Sequence, residues 1–108
     1  MIKVTYYVGT RDKDTCEKEL LDRDLYKVFD ELFDNYTLQR AQGVYTMQET
    51  GTVVKEDTFI VTTLVDEDKI KTVSHLKIKI LNNVETMKDV LNQESILVEV
   101  CKPEVLFL

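Results

Sequence analysis

The order of hydrophobic periodicities along the chain predicts one α+β domain, with two amphipathic helices on one face of a four-stranded antiparallel sheet. Three observations carry this. Ile2, Val4, Tyr6 and Val8 alternate with Lys3, Thr5 and Tyr7 at the start, the two-residue period of a half-buried strand. Near the end, Leu91-Asn92-Gln93-Glu94-Ser95-Ile96-Leu97-Val98-Glu99-Val100 passes from helical spacing through polar residues straight into a second alternation. Between them, two helix-like segments flank a pair of strand-like ones.

Each element has its own signal. Gly9 ends the first strand, and the polar run Thr10 to Glu19 reads as a loop or the fraying start of a helix. Leu25, Val28, Phe29, Leu32 and Phe33 then share one helical face. Asp14 with Glu17 would make an early capping box and Asp22 a later cap, and the late start of the apolar face favours a helix from Asp22 to Asp34. Ala41, Gly43, Tyr45 and Met47 alternate with Arg40, Gln42, Val44 and Thr46 as a second strand. Glu49-Thr50-Gly51 turns it, because glycine accepts a positive φ. The third strand is strongest across Phe59 to Val65, so these two form a hairpin.

Ile70 to Leu91 carries two signals. Ile70, Val73, Leu76, Ile80, Val84, Met87 and Leu91 follow helical spacing, and a helix broken or kinked near Asn82 is the favoured reading. Leu76, Ile78 and Ile80 also alternate with Lys77 and Lys79, which would instead make a strand at His75 to Leu81 before a short helix. The last strand runs from Ser95 to Cys101, and Pro103 limits it. The apolar tail Val105 to Leu108 is expected to pack on the domain or on another copy. The sum is β-α-β-β-α-β, the split βαβ order of ferredoxin-like domains.

Composition removes several functions. The chain has 108 residues, one domain's worth, with ordinary hydrophobic and charged content. A net charge of -6 disfavours direct nucleic-acid binding. No apolar run suits a bilayer, the start lacks a signal-peptide pattern, and two distant cysteines, Cys16 and Cys101, fit a reducing cytoplasm of a bacterium or its host cell. Charge is uneven: Asp12 to Asp34 holds nine acids against four bases, whereas five lysines between Lys69 and Lys88 face Glu85 alone.

Tyr6-Tyr7-Val8-Gly9, Asp12-Lys13-Asp14-Thr15, Ala41-Gln42-Gly43-Val44-Tyr45 and Leu91-Asn92-Gln93-Glu94-Ser95 together resemble small uncharacterised ferredoxin-like proteins of gut Firmicutes and their phages or mobile elements. The likeness departs between Asp66 and Asp89, where this chain is longer. It implies a fold and a bacterial or phage source, and transfers no catalytic residue.

Chemistry-bearing motifs are sparse. His75 is the sole histidine and no short-spaced ligand pair exists, so no metal or cofactor is expected. Three isolated glycines write no phosphate loop. The face opposite the helices is more promising. The alternation assigns it Thr5, Tyr7, Arg40, Gln42, Val44, Thr46, Ile60, Thr62, Leu64, Leu97, Glu99 and Cys101, apolar enough for a dimer interface or a ligand groove.

The sequence therefore favours a dimeric, non-enzymatic binding or inhibitory protein, with counter-defence by a phage or mobile element as one form. Asp22, Asp24, Asp30 and Asp34 would face a host protein, or Tyr7, Arg40, Gln42, Thr62 and Glu99 would sequester a small anionic ligand. The alternatives are a small-molecule enzyme working at the open face through Glu99, and a self-associating structural subunit.

Overall fold

The computed structural model of the chain describes residues 1–10, 20–93 and 95–108. Its elements are β1 (Ile2–Gly9), α1 (Asp22–Leu32), β2 (Thr37–Thr46), β3 (Val53–Val65), α2 (Val73–Leu91) and β4 (Leu97–Cys101), with a 3-10 turn at Glu67–Lys69. The sheet order is β2-β3-β1-β4, every neighbouring pair antiparallel, and both helices lie on one side. This is the βαββαβ arrangement read from the sequence.

The core is what the two periods deliver. Val4, Tyr6 and Val8 from β1 and Phe59 and Val61 from β3 meet Leu25, Val28 and Phe29 from α1 and Met87 and Leu91 from α2, all buried. Phe33 adds an aromatic join, its ring 5.4 Å from Tyr6 and 5.8 Å from Phe29.

The helix ends differ from expectation in detail. Asp22 sits in the first turn of α1 and is not its cap; the Asp24 carboxylate reaches back to accept the Leu21 N–H at 2.9 Å. The Asp14–Glu17 alternative and Cys16 lie outside the described residues. α1 stops at Leu32 because Phe33 turns extended to place its ring on Tyr6. α2 is one continuous helix, so neither a break at Asn82 nor the strand at His75–Leu81 forms. Leu76, Ile80, Val84, Met87 and Leu91 follow its inner face, while Ile78 stands out to solvent, which is what made the segment look alternating. Ile70 closes the 3-10 turn, and Thr72 caps α2 by accepting the His75 N–H at 3.0 Å.

β2 is longer than expected and its register is shifted. Leu38 pairs with Val61 and Arg40 with Phe59, so Leu38, Arg40, Gln42 and Val44 take the helix-side parity, while Gln39 and Ala41 take the open one. A one-residue error reverses a whole strand. Before Thr58, β3 has no β1 partner and runs with β2 alone as a two-stranded arm. Gly51, at φ 69°, makes the turn at its tip. Of the two packings expected for the tail, the one on its own domain is not formed by Leu106, Phe107 and Leu108, which remain exposed on the single chain.

Candidate functional site

The open face is built around β1. Tyr7 lies between Ile60 and Leu97, and Thr5 between Thr62 and Glu99. Tyr7 and Glu99 are thus diagonal neighbours on one face, within reach for long side chains. The Tyr7 phenol and the Glu99 carboxylate face each other there. Glu99, as a hydrogen-bond acceptor beside it, holds the Tyr7 hydroxyl above the ordinary phenol range, with burial and the negative charge of Glu99 adding to the shift. Tyr7 therefore remains a hydrogen-bond donor at neutral pH.

Beside the pair, a shallow groove of ≈ 420 Å³ runs along Lys3, Thr62 and Leu64 beneath Pro103 and Val105. Lys3 shares the parity of Thr5 and Tyr7, but in the sequence nothing sets it apart from any polar strand residue. Thr62 fits where the sequence placed it. Leu97, 63% exposed, leaves the floor of this face open in a single chain.

Arg40 and Gln42 do not belong to this face. The Arg40 guanidinium lies 4.9 Å from the Phe59 ring centroid and 4.0 Å from Asp22, on the helix side. Gln42 pairs with Asp57 in the projecting arm. Of the five expected ligand residues, register brings together Tyr7, Thr62 and Glu99 and separates the other two.

The four acids expected at a partner surface also have local roles. Asp22 faces Arg40, Asp24 caps α1, and Asp30 accepts the Tyr36 hydroxyl. Burial, with Asp30 beside it, pushes Tyr36 up to about 12. Asp34 borders a second concavity, ≈ 260 Å³, on the helix side of the sheet. Among the described residues no three His, Cys, Asp or Glu side chains gather as a metal site, and no helix is long and apolar enough to cross a membrane.

Neither a protein-family model nor a curated protein sequence matches the chain. Solved structures do. A phage SAM lyase in complex with S-methyl-5′-thioadenosine matches with a TM-score of 0.66 at 20% identity, covering 94% of this chain and 80% of that one. CutA1 from Pyrococcus horikoshii OT3 matches with a TM-score of 0.57 at 11% identity, over 99% and 87% of the two chains. GlnK of B. subtilis in complex with ATP matches with a TM-score of 0.50 at 16% identity, over 93% and 82%.

These likenesses establish the fold. They also correct the functional expectation: a non-enzymatic inhibitor or ligand sequestrant is overturned, because the lyase that matches nearly the whole chain is an enzyme.

Proposed function

We propose that the chain is an enzyme acting on S-adenosylmethionine by lyase chemistry at the open sheet face. The observation that carries this reading is the match to the phage SAM lyase across most of both chains. A phage or mobile-element source suits it.

The chemistry suits the pair on β1 and β4. S-adenosylmethionine carries a sulfonium cation, and S-methyl-5′-thioadenosine keeps that sulfur with its methyl group. The bond that breaks therefore joins sulfur to the Cγ of the amino-acid chain. The substrate's own carboxylate can supply the attacking electron pair, closing a five-membered lactone while the C–S pair leaves with sulfur. No proton moves and no protein base is required, so catalysis consists of holding the folded chain in line and shielding it from water. Glu99 would face the sulfonium, Tyr7 would fix the carboxylate of Glu99 and present a ring to the cation, and Thr62 would border the substrate.

Such a site needs a cover that one chain lacks, and a second copy on the open face supplies it. Ile60, Leu97 and the projecting arm are the surfaces it would use, as a dimer or a larger ring. The test is mass spectrometry of S-adenosylmethionine incubated with the purified protein. S-methyl-5′-thioadenosine and homoserine lactone should appear together, and Glu99→Gln should lower the rate by about 10²-fold or more. No product from the wild type at micromolar enzyme would overturn the reading.

A further inference from the structure

The cavity of ≈ 260 Å³ on the helix side lies between the end of α1, the first half of α2 and the lower ends of β1 and β3. Its floor is apolar and aromatic, with Phe33 beside Tyr6, and Asn83 lines it near the Tyr6 hydroxyl. Its rim carries both signs, with Asp66 and Lys69 on the connection from β3 to α2. Asp34 follows α1 on one wall, while His75 and Lys79, one turn apart, stand on α2. The volume falls just below the roughly 300–1,000 Å³ of common ligand sites, which suits a compact occupant better than a nucleotide.

We propose that this cavity binds a free amino acid with an apolar side chain. The side chain would lie over Phe33 and Ile80, the carboxylate toward Lys79 and His75, and the ammonium toward Asp34. Carboxylates (Asp34, Asp66) and ammonium groups (Lys69, Lys79) around one apolar floor complement a zwitterion more completely than they complement an anion or a cation alone. The assignment does not rest on the lyase reading, because Val4, Tyr6 and Thr63 line this cavity from the sheet face opposite Tyr7 and Glu99.

Thermal unfolding of the full chain tests it, using L-methionine, L-leucine and L-phenylalanine as probes. Two half-molecules serve beside them, 4-(methylthio)butyrate without the ammonium and 3-(methylthio)propylamine without the carboxylate. At least one amino acid should raise Tm by about 5 °C at roughly ten times its Kd, and neither half-molecule should do so. Lys79→Ala, an exposed change, should weaken that amino acid about tenfold, and Ile80→Trp should abolish binding by filling the cavity. Glu99→Gln should leave the shift intact. The proposal is overturned if no amino acid shifts Tm, if a half-molecule shifts it equally, if Lys79→Ala binds as the wild type does, or if Glu99→Gln removes the shift. Should Ile80→Trp fail to fold, Lys79→Ala still decides.

Discussion

The two faces of the sheet are made from alternate residues of the same strands, yet they follow different rules. On the helix side, Val4, Tyr6, Val8, Phe59 and Val61 are all but sealed from water. On the other, Tyr7 and Ile60 are half-buried and Leu97 is exposed, and the polar members Lys3, Thr5, Thr62 and Glu99 alternate with them across the strands. The first face is filled by this chain's own helices. The second has the composition of a surface finished by something else. Neighbouring residues one position apart in sequence thus carry stability and chemistry separately.

The contrast is sharpest at Phe59 and Ile60. Phe59→Ala should cost about 3–5 kcal/mol, because a fully buried ring leaves a cavity that the packed helices cannot close. Ile60→Ala should cost far less in dilute protein, and a loss growing with protein concentration would mark the open face as an interface. Equal losses, measured by urea unfolding across a concentration series, would break the distinction between the faces.

A smaller effect probes the edge of the sealed face. A Cβ on Gly9 would stand 2.7 Å from the Gln93 side-chain oxygen, and Gln93 is itself buried. Gly9→Ala should therefore destabilise by about 1–3 kcal/mol. Chemical denaturation would register it, and an unchanged midpoint would show that the amide moves aside freely.

Arg40→Ala should cost about 0.5–1 kcal/mol through its contact with the Phe59 ring, the exposed ion pair with Asp22 adding little. Turnover at the open face should be unaffected; a large loss of activity would return Arg40 to the site from which its register removes it.

The smallest effect lies at the chain's margin. Glu67 accepts hydrogen bonds from Lys102 and the terminal ammonium, at 3.1 and 3.2 Å, and these partners hold its carboxyl below the usual range. A carboxyl depressed in the folded state contributes stability above its unfolded pKa and loses it as pH falls through the folded one. Glu67→Gln should flatten the acid limb of the stability profile slightly, and an identical limb in both proteins would remove the contribution.

The fold was legible because β1, α1 and β4 each have one dominant period. β2 was misread where its signal is weakest. Ala41 and Gly43 contribute little apolar weight, Leu38 stands before the alternation that marks the strand, and the arm has no core beneath it to distinguish its faces. Ile78 misled in the opposite sense, an exposed apolar residue completing a false alternation. Tyr7, Thr62 and Glu99 could be placed together because strand parity alone unites them. The helix-side cavity could not, since α1, α2, β1 and β3 create it only by packing.

The meeting of Gly9 and Gln93 gives two distant stretches of sequence one physical cause. Asn92 takes a left-handed conformation at φ 50°, ending α2 and delivering the Gln93 amide onto a strand end that has no side chain to obstruct it. The Tyr-Val-Gly start and the Leu-Asn-Gln junction are therefore the two halves of a latch. In descendants of this chain they should change as a pair: a larger residue at position 9 becomes tolerable once position 93 becomes smaller.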